Sequence, residues 1–235
     1  MKKLLMMIMM APLMNLAIAQ SFSPAFDRFS GGKTSYVNLE DGTQIEGTID
    51  DFDRKKGLIE EVTIKDADGK KIKLEAEKIK SMYVPPSNLA KFNEAMDFAT
   101  EASNWQSGND VDKDIISKGY AMFERSTVML GKKKRDLLLQ IVNPSFANYV
   151  RVYQDPMAKE TAGFGVAGID VVGGEEKSYY VKVGDAPAFR LYKKDYSKQF
   201  ASVFKGCKAV VDAVGKKKAW SDFASHAMMA AKECQ

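Results

Sequence analysis

Apolar and polar positions alternate with period two along residues 34–84. Val37 and Leu39 flank polar Asn38, and Ile45, Gly47 and Ile49 interleave with Gln44, Glu46 and Thr48. Val62 and Ile64 are answered by Ile72 and Leu74. Such alternation puts successive side chains on opposite faces of a strand. Asp41-Gly42 and Asp68-Gly69 separate the runs, and Asp-Gly pairs supply the positive φ that tight hairpins require. With Ile79 to Val84 as a closing strand before Pro85-Pro86, the stretch predicts about five short strands in a small, strongly bent β-barrel.

The period then changes. Leu89, Phe92, Ala95, Met96, Ala99 and Ala102 recur at spacings of three and four, which predicts a helix over 87–105 with Ser87 as its N-cap. Polar, turn-forming residues 106–114 complete a helix-and-linker unit over 85–114. Strand patterns return at Tyr120–Leu130, Leu137–Val142, Tyr149–Gln154, Ile169–Val172, Tyr179–Val183 and Phe189–Tyr192. The links between them are too short for helical crossovers, so the pairing is expected to be antiparallel. Tyr196, Phe200, Val203, Phe204, Cys207, Val211 and Val214 form one apolar stripe over 195–214, ended by Gly215. Phe223, Ala227, Ala230 and Cys234 mark a last helix over about 221–232. The expected fold class is therefore α+β. A small N-terminal β-barrel and a linking helix precede an antiparallel β body, 115–235, capped by two C-terminal helices.

The start of the chain places all this outside the cytoplasm. Lys2 and Lys3 precede an apolar run from Leu4 to Ala17, which closes on the small-x-small sequence Ala17-Ile18-Ala19. This is the pattern of a cleavable signal peptide over 1–19. The run is interrupted by Pro12 and Asn15 and is shorter than the roughly 20 residues of a membrane span. The mature chain is expected to begin near Gln20, with 20–33 as a flexible or extended lead-in, and to work in the periplasm, the envelope or the medium. No later apolar segment is long enough to span a bilayer. Cleavage leaves 216 of the 235 residues, and loss of Lys2 and Lys3 takes the net charge from +4 to +2. So small a charge selects neither nucleic acid nor an anionic membrane.

Export changes the reading of the two cysteines, Cys207 and Cys234. An even count in an oxidising compartment favours a disulfide. Each Cys lies on the apolar stripe of its helix, and an antiparallel helix pair brings them together. The bridge would close a loop of about 26 residues, worth on the order of 3 kcal/mol. Two separate buried thiols are the alternative.

Motifs that resemble chemistry fail on context. Gly163, Gly165 and Gly168 satisfy GxGxxG, but the residues after them read as a strand and a turn, so no helix N-terminus is offered to a pyrophosphate. Gly32-Lys33-Thr34 lacks the earlier glycine of a P-loop, because position 27 is Asp. Asp110, Asp112 and Asp114 are spaced like the start of a calcium loop, but Ile115 and Ala121 stand where Gly and Glu belong. They form a weak calcium candidate beside the reading of a solvated acidic linker. His226 is the single histidine, too little for a zinc site or a recognisable nucleophile–base pair. Carboxylate-pair hydrolysis is left open, because the pairing of Asp and Glu is not visible in sequence. Lys132 to Arg135 and Lys216 to Lys218 lack interleaved aromatics and read as solvated turns. No catalytic residue, cofactor or resident metal is assigned.

Two resemblances add to this. Residues 34–84 resemble SH3-like or Sm-like barrels in layout. Leu-Leu-Leu-Gln-Ile-Val-Asn-Pro-Ser-Phe (137–146), Val-Arg-Val-Tyr-Gln-Asp-Pro (150–156), Lys-Ser-Tyr-Tyr-Val-Lys-Val-Gly (177–184) and Lys-Lys-Asp-Tyr-Ser-Lys-Gln-Phe-Ala-Ser-Val-Phe-Lys-Gly-Cys (193–207) follow in order. That order resembles uncharacterised exported proteins of Bacteroidetes-type bacteria. The resemblance implies an envelope location and pairing of Cys207 with Cys234, and carries no catalytic residue. The expected function is a non-enzymatic binding or structural protein of the periplasm or envelope, whose partner is an envelope protein or a ligand. A carboxylate-dependent hydrolase and a lipid or small-molecule carrier are the alternatives. The shape and lining of the largest pocket discriminate among them.

Overall fold

The computed structural model describes residues 22–26, 28–87, 108, 110–158, 176–216 and 218–234. The expected signal peptide, almost all of the expected linking helix, the strand expected at 169–172 and the Gly163–Gly168 motif lie outside these residues.

The alternating runs of 34–84 fold into five strands: β1 (Thr34–Leu39), β2 (Gln44–Lys55), β3 (Leu58–Lys65), β4 (Lys71–Glu75) and β5 (Ile79–Val84). The Asp-Gly hairpin turns form as expected. Gly42 and Gly69 adopt φ of 87° and 78°, while Asp41 and Asp66 accept from the backbone N–H of Thr43 and Asp68 at 2.9 and 3.0 Å. The barrel does not close. β5 pairs with β1 along one edge (Met82 opposite Val37) and with β6 (Ala121–Leu130) along the other (Met82 opposite Phe123). With both edges taken, β5 has none left for β4.

β7 (Lys133–Ile141), β8 (Val150–Gln154), β9 (Ser178–Val183) and β10 (Phe189–Tyr192) follow. All ten strands belong to one open sheet in the order β10-β9-β8-β7-β6-β5-β1-β2-β3-β4. The expected α+β class with its separate barrel is thus corrected to a mostly β molecule: one antiparallel sheet with a few C-terminal helices. The Lys132–Arg135 run is also corrected. Only its start is a turn, and β7 begins at Lys133, which pairs with Leu130.

The sheet curls although it does not close. β2 shifts register between Ile49 and Asp51 and again between Asp53 and Arg54, and bulges bend and twist a strand. A Cβ at Gly47 would lie 2.3 Å from the Lys65 carbonyl oxygen, so only glycine lets β2 pass this close to β3. The bend carries β3 back against β7. Val37, Val62, Ile64, Met82, Phe123 and Leu138 fill the space between. At the other end Ala188, just before β10, makes a single parallel bridge to Val128 of β6.

The described lead-in residues, 22–26 and 28–33, are held by the sheet and the core and are not the flexible segment expected. Ser23 N–H donates to the Val142 carbonyl at 2.7 Å. The buried Gln140 amide accepts from Phe26 N–H and donates to the Pro24 carbonyl. Phe22 packs edge-on against Tyr179 and Phe223, whereas Phe26 is buried in the core under β1–β6. One short strap therefore ties two core clusters together.

At the C-terminus the helix expected over 195–214 is two helices, because Gly206 adopts φ 97° and breaks the run. After α1 (Lys113–Ile116), the chain forms α2 (Tyr196–Val203), α3 (Lys208–Val214) and α4 (Phe223–Glu233). They enclose an aromatic core of Phe146, Tyr196, Phe200, Phe204, Trp220 and Phe223. The disulfide forms: Cys207, at the N-cap of α3, is bonded to Cys234, just past α4, with Cα atoms 5.5 Å apart.

Two stability predictions follow from these constraints. Gly47→Ala is expected to cost about 1–3 kcal/mol through overpacking, read as a lower urea midpoint at unchanged slope. The paired Cys207→Ala, Cys234→Ala change is expected to cost about 3 kcal/mol, and adding reductant to the wild type reproduces it.

Candidate functional site

A cleft of about 410 Å³ opens where β6, β8 and β9 meet the connection before β8. Its centre is Arg151. On β8 this residue stands between buried Val150 and Val152, so alternation turns its side chain away from theirs. Arg151 and Lys182 are direct partners in the β8–β9 ladder. Directly opposite side chains share a face, and both of these line the cleft.

The two cations differ in their surroundings. Nη1 of Arg151 donates to Glu124 Oε2 at 2.5 Å, and Nη2 donates to Asp110 Oδ2. Tyr153 Oη donates to the other Glu124 oxygen at 2.5 Å. Burial disfavours the Arg151 cation, but the two carboxylates outweigh it, so its pKa lies above the ordinary arginine value. Burial, reinforced by Glu124, raises the Tyr153 phenol well above its usual range and keeps it a donor. Lys182 and Asp185, by contrast, make no ion pair or side-chain hydrogen bond among the described residues.

The two carboxylates on Arg151 are held unequally. The Glu124 side chain is 12% exposed, and that of Asp110 is 51% exposed. Asp110 sits on a turn tethered by the Tyr83 hydroxyl, which accepts from Asp112 N–H at 2.8 Å. The opposite wall is rigid. Tyr149 Oη donates to the Lys205 carbonyl at 2.8 Å, and Asn148 Nδ2 donates to the Ala231 carbonyl at 3.0 Å. Arg125, at the rim, donates to the Glu77 carbonyl and pairs with Glu40 at 2.9 Å.

The residues singled out from sequence are scattered. Asp110 pairs with Arg151, Asp112 caps α1 by accepting from Ile115 N–H at 3.0 Å, and the backbone carbonyl of Asp114 accepts from Ser117. They form no cluster: among the described residues no group of three or more His, Cys, Asp or Glu is placed to hold a metal ion. His226 is buried away from the cleft, its Nδ1 2.6 Å from Tyr196 Oη, with Phe200 and Phe204 around its ring.

A second ionic cluster, at the β8–β9–β10 end, was not foreseen. Arg190 pairs through Nε with Asp155 at 2.9 Å and donates to Tyr180 Oη at 2.8 Å, while Ser178 Oγ donates to Asp155 at 2.7 Å. The cleft residues Glu124, Arg151 and Lys182 were missed as well. Their sequence signal is faint: lone charges inside apolar strands, as in Val-Arg-Val-Tyr and Tyr-Val-Lys-Val.

Comparison of the chain with protein-family models, with curated proteins and with solved structures returns no match.

The buried His226 generates a pH prediction. Burial lowers its pKa, opposed in part by Asp222. The folded state thus favours neutral imidazole. That contribution is complete above the free histidine value of about 6.5 and is lost as pH falls below it through the folded pKa. Thermal unfolding from pH 8 to pH 5 is expected to show a wild-type loss of stability that is shallower in His226→Gln.

Proposed function

We propose that this chain is an exported, non-enzymatic binding protein and that the cleft around Arg151 receives a hydrophilic ligand. The carrying observation is the lining, in which Lys182 faces the cleft uncommitted beside an Arg151 already held in place. A lipid carrier needs a large apolar cavity, and this cleft is lined mainly by charged and polar side chains. A carboxylate-pair hydrolase needs two carboxyls facing a substrate, one of them kept protonated. Here a guanidinium lies between the two carboxylates. Docking of a protein through a broad apolar patch finds little support, since Val211 is the exposed large hydrophobic among the described residues.

The leader pattern at 1–19, the Cys207–Cys234 bond and the resemblance to exported Bacteroidetes-type proteins support the envelope location. No helix among the described residues is long and apolar enough to cross a membrane.

The full gene is expressed in a bacterium with a periplasm, and the product is recovered by osmotic shock and titrated with a pool of hydrophilic metabolites and with an apolar dye. The expected outcome is a chain starting near Gln20, without free thiols, whose amide shifts at residues 148–151 and 182–185 move with the metabolites and not with the dye. A cytoplasmic product that keeps Met1, or dye binding inside the sheet, defeats the reading.

A further inference from the structure

The cleft contains its own stand-in for a ligand. Arg151 offers a fork of two N–H ends, and the structure fills them very differently. The inner end holds Glu124, which Tyr153 fixes from behind. The outer end holds Asp110, a half-exposed carboxylate arriving from a distant turn. Beside that outer end stands Lys182, directly opposite Arg151 across the ladder and without a partner among the described residues. Two cations facing each other on one sheet face repel. Glu124 and Asp110 together balance the charges of Arg151 and Lys182, so a ligand carboxylate that takes the place of Asp110 exchanges one anion for another and leaves the inner pair intact.

We propose that the cleft binds the carboxylate of a hydrophilic ligand, which displaces Asp110 from Nη2 of Arg151 and takes Lys182 as its second cation. The inference rests on the reading of the cleft as a ligand site. A carboxylate fits because one already occupies the position, and a planar fork–fork pairing is specific to that geometry. Glu124 stays in place and keeps the guanidinium aimed. Asp110 is the competitor: it holds the outer N–H end of Arg151 when the cleft is empty and lowers the apparent affinity when ligand is present. Tyr149 and Asn148, pinned to the helical layer, supply a fixed wall for the rest of the molecule.

The test uses the disulfide-bonded protein and three soluble probes: glucuronate, glucose and inorganic phosphate. Each is titrated by chemical-shift perturbation into wild type, Asp110→Asn and Lys182→Ala. Removing the competitor is expected to tighten glucuronate binding about tenfold, and removing Lys182 to weaken it about tenfold, as charge-assisted hydrogen bonds of this kind permit. Glucose is expected to be indifferent to both changes. Asp110 is half exposed and lies outside every core cluster, so the Asn variant is expected to keep the wild-type spectrum elsewhere; Asp110→Ala provides a second reading of the same effect. Glucuronate affinity that is unchanged or weaker in both Asp110 variants overturns the displacement. A tenfold gain for phosphate without one for glucuronate overturns the carboxylate assignment. In both cases shifts at Arg151 and Lys182 leave the ligand cleft standing. Failure of all three probes to move the cleft resonances defeats both the inference and the reading beneath it.

Discussion

A β-strand has two edges, and in this chain β5 uses both. Its ladder with β1 joins it to the four-strand meander β1–β4, and its ladder with β6 joins these strands to the rest of the sheet. Everything else is arranged around this junction. β4 is left as an outer edge, with exposed Lys71 and Lys73 on it, and edge lysines discourage pairing with another chain. The sheet stays open, and its curl is held by packing. β2 passes close to β3 at Gly47 and shifts register at its bulges, and β3 packs against β7.

The second half is secured by different means. β7 and β8 share only a short ladder, and the cluster beyond them rests on aromatic packing under α2, α3 and α4. The Cys207–Cys234 bond ties the start of α3 to the end of the chain. Residues 22–26 reach from this cluster to the one under β1–β6, so the two halves are crosslinked by Phe22 and Phe26 as well as by the sheet.

Much of this was legible in the residues, and the gaps have physical causes. Alternation located the strands well, because which face a side chain takes is a local property. It said nothing about which edges pair, and so the 34–84 segment read as a closed barrel when β6, far along the chain, was taking the edge. The apolar stripe expected over 195–214 is buried from Tyr196 to Cys207 but not at Val211, which is exposed, and Gly206 breaks the run with Phe204 and Cys207 buried on either side. The two cysteines were legible because compartment, count and stripe agreed. The cleft was not legible. Arg151 and Lys182 become neighbours only through the β8–β9 register, and Asp110 reaches them from another part of the chain.

The two arginine networks show why exposure, and not the ion pair itself, marks the candidate site. Arg190 and Arg151 each bind carboxylate and lie beside tyrosines. Around Arg190 the carboxylate is buried: the Asp155 side chain is 1% exposed, and Ser178, Tyr180 and the Met157 N–H complete its shell or the arginine's. Removing either partner would strand a buried charge, so that cluster fixes the β8–β9–β10 end and offers nothing to a ligand. Around Arg151 the same chemistry is left half open. One carboxylate is buried and braced, the other is half exposed on a turn, and a neighbouring cation is unpaired among the described residues. A structural latch would gain from burying Asp110 and from replacing Lys182 with a neutral residue. With Asp110 half exposed and Lys182 uncommitted, the outer end of Arg151 is the part of this network that an outside carboxylate could take over without disturbing the buried Glu124 pair.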